Sequence, residues 1–188
     1  MQESQYNYLN QDDFIRVIDA IPRLKIRKWY DNDIEMLFKI LYHCALRPIE
    51  AIKLSKVDFN IIDRVIYLGK TKTSMQDKAV IPKNFEIELT NYLQTKKDGR
   101  LFDKLTYPTF YNWLIRLGKI LNIEAWIMPQ SESGEKTKGH IFRKSIGKDL
   151  INQGYSYEII SKHLRHKKPS ITIDYYLKAS LEAVKEVL

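Results

Sequence analysis

The chain has 188 residues, 44% hydrophobic and 29% charged, which suits one globular domain with a sizeable core. Its one cysteine, Cys44, excludes an intramolecular disulfide and a cysteine-built metal cage, and no apolar run reaches the roughly 18 residues of a membrane-crossing helix. Against 23 Asp and Glu stand 31 Lys and Arg, and the resulting net charge of +8 favours polyanions, nucleic acid first and acidic lipid second. The polar, acidic start MQESQYNYLNQDD is unlike a secretion signal, so a reducing cytoplasm is the expected compartment.

Asn10, followed by Gln11, Asp12 and Asp13, predicts a capped helix start. Phe14, Val17, Ile18 and Ile21 follow at helical spacing until Pro22. A second helix is expected from about Asp31, with Ile34, Leu37, Phe38 and Leu41 on one face, running toward Cys44-Ala45-Leu46-Arg47. Pro48 opens a third, through Glu50, Ile52 and Leu54 to near Lys56, because a first-turn proline loses no hydrogen bond. Three short β-branched runs come next, over 57–59, 64–68 and 79–81; the polar KTKTSMQDK between the last two predicts an antiparallel hairpin. Pro82 closes the sheet.

Helical periodicity returns over 85–96 and 107–122. The segment PQSESGEKTKG, residues 129–139, reads as a flexible loop inside one domain, since neither flank closes a core alone. Further helices are expected over 141–152, stopped by Gly154, over 157–164, and once or twice within 170–188. The fold class is therefore α+β, mainly helical with a small antiparallel three-stranded sheet, in a single domain covering 1–188.

Four places put cationic or nucleophilic side chains at element boundaries. Arg47 lies near the core between Leu46 and Pro48, where Glu50 can pair with it across a turn. His140 and Arg143 are three apart and share a helix face. Leu164-Arg165-His166 is the third place, and Asp174-Tyr175-Tyr176-Leu177-Lys178 the fourth. Each alone reads better as structure: a tethering ion pair, an ordinary helix face, an unremarkable histidine or tyrosine. Together they have a chemical logic. Two arginines can grip the non-bridging oxygens of a phosphate, a histidine adds a donor, and a tyrosine supplies an oxygen nucleophile. The arginines then provide the charge compensation that a metal ion would otherwise give.

In order, A-L-R-P-I-E, a lysine hairpin, H-I-F-R, L-R-H and P-S-I-T-I-D-Y-Y resemble the tyrosine recombinase (phage integrase) family. Its members typically show T-G-L-R-x-x-E, a hairpin lysine, H-x-L-R-H, L-G-H and a terminal tyrosine. The likeness runs from about residue 8 to about residue 180 and implies the catalytic-domain fold that recombinases share with type IB topoisomerases. It implies Arg47, Lys72, His140, Arg143, His166 and Tyr176 as catalytic residues, with Glu50 steadying Arg47. Tyr176 ends the H-x-x-P-x-I-T-x-D-x-Y frame that starts at His166, and Tyr175 is the alternative nucleophile. Lys72 fits the frequent T-K-T of the hairpin, with Lys70 as the alternative general acid.

Lys144, Arg165, Lys167 and Lys168 are expected to touch DNA. Lys144 stands where a second histidine often follows the arginine, and Ala45 and Arg165 replace glycines. If the second glycine position needs a positive φ, Arg165 is strained; otherwise its side chain is placed to meet DNA. The resemblance implies a site-specific recombinase acting on double-stranded DNA through a 3′-phosphotyrosyl bond, without metal, cofactor or ATP. It also implies dimers or tetramers on DNA and mobile-element or viral integration in a prokaryotic or host cytoplasm. The helix expected over about 179–188 reads first as one that docks on the core, with exchange onto a neighbouring protomer as the family-like alternative. Family members carry a separate core-binding domain; this chain begins where the catalytic domain begins, so a fragment of a longer integrase is expected. Alternatives are a non-catalytic DNA-binding protein on the same fold and a type IB topoisomerase.

Overall fold

The computed structural model describes residues 8–26, 31–69, 77–123 and 140–173. The expected loop over 129–139, the hairpin lysines Lys70 and Lys72, and everything from Asp174 onward, including Tyr175 and Tyr176, lie outside the described residues.

The first helix, α1 (Gln11–Ala20), starts where the Asn10 side chain accepts the Asp13 N–H at 2.7 Å. It buries Phe14, Val17 and Ala20, and a single 3₁₀ turn, Ile21–Leu24, follows around Pro22. Helix α2 (Asp31–His43) buries the expected Ile34, Leu37, Phe38 and Leu41, and Met36, Ile40 and Tyr42 as well. A helix buried on so many sides is central rather than amphipathic. Helix α3 (Pro48–Ala51) is one turn long and does not reach Lys56 as the sequence suggests. Beyond it the backbone is drawn away. Leu101 N–H bonds Leu54 C=O at 3.0 Å, Lys56 N–H bonds Gly99 C=O at 2.9 Å, and Ser55 pairs with Arg100.

The sheet is β1 (Phe59–Asn60), β2 (Val65–Leu68) and β3 (Asp77–Val80), antiparallel in that order, with Phe59 opposite Ile66 and Ile66 opposite Ala79. Val57, expected to open the first strand, sits in the 3₁₀ turn Lys56–Asp58 with its side chain in solvent. Ile66, Leu68 and Ala79 turn inward. Helices α4 (Lys83–Gln94) and α5 (Tyr107–Leu121) follow, then α6 (Ile141–Asn152) and α7 (Tyr157–His163), and residues 169–173 are again helical.

Aromatic rings tie the helices into one core. The Phe38 ring lies 5.8 Å from Phe110 and 5.1 Å, edge to face, from Phe142, while Phe14 stacks on Tyr42. Helix α6 packs on α2, joined to it by the Tyr42 hydroxyl and the Asp149 carboxylate. From the first turn of α6, Arg143 reaches the Ala45 carbonyl just past the C-terminal end of α2. That junction brings together the sequence-distant boxes. No helix among the described residues is long and apolar enough to cross a membrane.

Candidate active site

Two helix endings shape the site. Helix α2 stops because Ala45 takes a left-handed backbone, φ 51°, with its N–H bonded to Tyr42 C=O at 3.2 Å. Helix α7 stops in the same way at Arg165, φ 52°. Arg165 N–H bonds Lys162 C=O at 3.0 Å and His166 N–H bonds Ser161 C=O at 3.0 Å, the paired bonds of a Schellman ending. Both positions favour glycine, and a side chain in this conformation costs about 1 kcal/mol or more. The expected strain at Arg165 is thus present.

After Ala45 the chain turns into Arg47, whose extended backbone (φ −76°, ψ 144°) is what a following proline enforces. Glu50 folds back onto it. One carboxylate oxygen, Oε2, accepts the Arg47 backbone N–H at 2.8 Å, and Oε1 accepts Arg47 Nη1 at 2.8 Å. The Arg47 side chain remains 40% exposed, so its charge is fixed at one end and presented to solvent at the other.

From α6, Arg143 is buried and donates through Nη1 to the Ala45 carbonyl at 2.7 Å. His140 immediately precedes the same helix, its side chain making no capping hydrogen bond. Burial holds its ring below the ordinary histidine range, with Arg143, Arg47 and Lys144 pushing the same way against Glu50. Lys144 is half-buried and held below its ordinary range by desolvation. His166 is pushed down to about 4 by burial, then by Arg143 and Arg47. Its Nδ1 meets the Thr172 hydroxyl at 2.7 Å, and Thr172 is fully buried. Both histidines are therefore neutral at pH 7 in the free protein, able to accept a proton or to donate one N–H.

Of the residues proposed to touch DNA, Lys167 and Lys168 are exposed. Arg165 is turned inward instead, its side chain 7% exposed. Its Nη2 meets Glu50 Oε2 at 2.6 Å and its Nη1 meets Asp77 Oδ2 at 3.1 Å. The geometry thus gathers Arg47, Glu50, His140, Arg143, Lys144, Arg165 and His166 from three stretches of sequence. Two contributors were missed in the sequence: Asp77, for which no spacing gave a signal, and Thr172, visible only as a match to the I-T frame. Among the described residues, no three His, Cys, Asp or Glu side chains come together as a metal cage. What the cluster offers is a cationic, hydrogen-bonding seat of the kind that holds a phosphate.

The phage integrase family model matches residues 7–182. The tyrosine recombinase XerC of Rickettsia massiliae is 25% identical over 187 residues, covering 95% of this chain and 58% of that protein. XerA of Saccharolobus solfataricus is 23% identical over 176 residues, covering 93% of this chain and 53% of that one. The chain thus spans little more than half the length of these relatives. Among solved structures, the catalytic domain of bacteriophage HP1 integrase matches with a TM-score of 0.64 at 20% identity, covering 93% of each chain. XerH bound to its difH substrate matches at a TM-score of 0.67 and 21% identity, covering 94% of this chain and 52% of the other.

Proposed function

The chain belongs to the phage integrase family, and on that premise we propose that it is the catalytic domain of a site-specific recombinase that cuts and rejoins double-stranded DNA through a bond to Tyr176. The observation that carries this reading is the convergence of Arg47, Arg143, His140 and His166 on one junction from segments nearly a hundred residues apart in sequence. Nothing in the packing of a mere DNA-binding domain calls for that assembly.

In the proposed reaction the Tyr176 oxygen attacks a backbone phosphorus while the bond to the 5′ oxygen breaks. The phenol proton passes to a neutral base, a role we assign to His140 alongside phosphate positioning, and Lys72 protonates the leaving 5′ oxygen. Arg47, Arg143 and a His166 N–H stabilise the extra charge on the non-bridging oxygens. A 5′-hydroxyl from a second strand reverses the step, so the bond energy is conserved in the phosphotyrosine. Lys167 and Lys168 contact the duplex, and assembly into dimers or tetramers on DNA belongs to the same proposal.

The test is covalent capture: nicked and supercoiled DNA incubated with the protein in EDTA, then denatured and probed for protein-linked DNA. We expect an adduct that Tyr176→Phe abolishes and Tyr175→Phe retains. Loss with Tyr175→Phe alone moves the nucleophile by one residue. Absence of any adduct from the longer gene product on its attachment site favours a binding protein on the same fold. Relaxation of plasmids that lack paired sites favours a topoisomerase.

A further inference from the structure

One guanidinium in the site has no part in the chemistry above. Arg165 touches three separate stretches of chain: Glu50 through Nη2 at 2.6 Å, Asp77 through Nη1 at 3.1 Å, and the Ala45 carbonyl through Nη2 at 3.5 Å. We propose that Arg165 is a positioning residue, a clamp that locks the start of β3 and the Arg47–Glu50 pair onto the turn that carries His166. Its effect on cleavage rests on the recombinase reading; the clamp itself does not.

The geometry argues for this role in two steps. Glu50 holds Arg47 through both of its oxygens, and Oε2 is shared between the Arg47 N–H at 2.8 Å and Arg165 Nη2 at 2.6 Å. With that second guanidinium in place the carboxylate cannot rotate away from Arg47, so the direction in which Arg47 points depends on Arg165. The other end of the clamp, Asp77, is the first residue of β3, the strand that ends the hairpin whose connection carries Lys70 and Lys72 in the sequence.

Arg165 also has few alternatives. Its side chain is 7% exposed, both Nη atoms are engaged with acceptors, and its Nε is buried without a hydrogen-bond partner among the described residues. Such a group is not placed to meet DNA. Its backbone conformation suits glycine, so a long charged side chain is kept there against the local preference, which the two ion pairs offset.

The experiment compares wild type, Arg165→Gly, Asp77→Asn and the double variant. It reads single-turnover cleavage of a nicked duplex at saturating DNA, duplex affinity and Tm. Glycine accepts the left-handed backbone, so Arg165→Gly should fold with Tm near wild type. Its affinity for the duplex should stay within about threefold while the cleavage rate constant falls about tenfold or more, because misorientation costs the chemical step rather than binding. Asp77→Asn should fall in the same direction, and the double variant should lose little beyond Arg165→Gly, as expected for partners in one contact. Arg165→Lys should restore only part of the rate, since one ammonium does not span two carboxylates as a guanidinium fork does.

Wild-type cleavage by Arg165→Gly, or losses that multiply in the double variant, would overturn the clamp. Should Arg165→Gly fail to fold, Asp77→Asn, at a side chain 34% exposed, decides alone. If neither this chain nor the longer gene product on its attachment site forms an adduct, the recombinase reading fails and the clamp is judged by NMR. Arg165→Gly should then raise the Glu50 carboxyl titration and speed exchange of the Arg47 amide, and no change in either refutes it.

Discussion

His166 keeps its ring in place through a contact of 2.7 Å with a fully buried hydroxyl, that of Thr172. A ring nitrogen satisfied in this way fixes the imidazole plane, and with it the direction of the other nitrogen. Thr172→Val keeps the branched shape but removes the partner. We expect it to fold with a loss of about 1–3 kcal/mol, the cost of leaving a buried polar atom unmatched. The cleavage rate constant should drop about tenfold, as a mispositioned donor predicts, and Thr172→Ser should recover most of it. Chemical denaturation and single-turnover cleavage measure the two effects, and an unaltered rate in Thr172→Val would mean the hydroxyl does not orient a reacting group. Cys44, by contrast, offers no chemistry at neutral pH, because burial raises its thiol far above the ordinary range despite the nearby Arg165.

At the scale of elements, what the sequence shows depends on whether the determining contact is local. Helix α1 was legible because Asn10 caps it from three residues away, and α6 because Gly154 ends it with a positive φ of 83°. The length of α3 was not, since its end is decided by backbone partners at Gly99 and Leu101, over forty residues on. The chemical boxes were legible through their order, yet nothing in that order reveals that Arg165 faces inward, because its partners Glu50 and Asp77 are 115 and 88 positions away. Ser145 shows the same dependence. It lies on α6, accepts the Leu9 N–H at 2.7 Å and donates to Ile141 C=O at 2.8 Å, and so ties the segment before α1 to the helix that bears Arg143. Ser145→Ala leaves the buried Leu9 N–H without its acceptor, for which we expect a loss of about 1–3 kcal/mol and faster hydrogen exchange at Leu9. Exchange at Leu9 equal to that of wild type would show that the tether is not formed in solution.

For the molecule as a whole, pH acts through its histidines in two opposite senses. His43, His163 and His166 are each pushed from 6.5 to about 4 by burial first, with neighbouring cations adding to it and, at His163, the hydrogen bond to the His43 backbone opposing it. Their folded pKa lies below the unfolded value, so the unfolded chain binds more protons between the two. The stability they contribute is fully present above pH 6.5 and is lost as pH falls toward 4, each adding about 1 kcal/mol per pH unit to the slope. His163, which hydrogen-bonds the His43 backbone beneath the site, is the cleanest probe: His163→Gln should flatten the dependence of unfolding free energy on pH by about that amount. An unchanged slope would show that His163 is not held neutral by the fold.

A bound phosphate has the reverse effect on the two histidines of the site. The Arg143 and Arg47 charges that help depress His166 and His140 are offset when an anion sits among them, so both rings gain affinity for protons in the complex. Binding should then take up protons, and affinity for duplex DNA should rise as pH falls through the bound-state pKa, until the acid instability described above intervenes. Near pH 6.5 the fold is still intact and the effect can be isolated. Calorimetric titration there, in two buffers of different ionisation heat, should show net proton uptake that shrinks in His166→Gln. Uptake unaffected by that substitution would assign the protons elsewhere, and no uptake at all would mean that burial still holds both rings neutral at this pH in the complex.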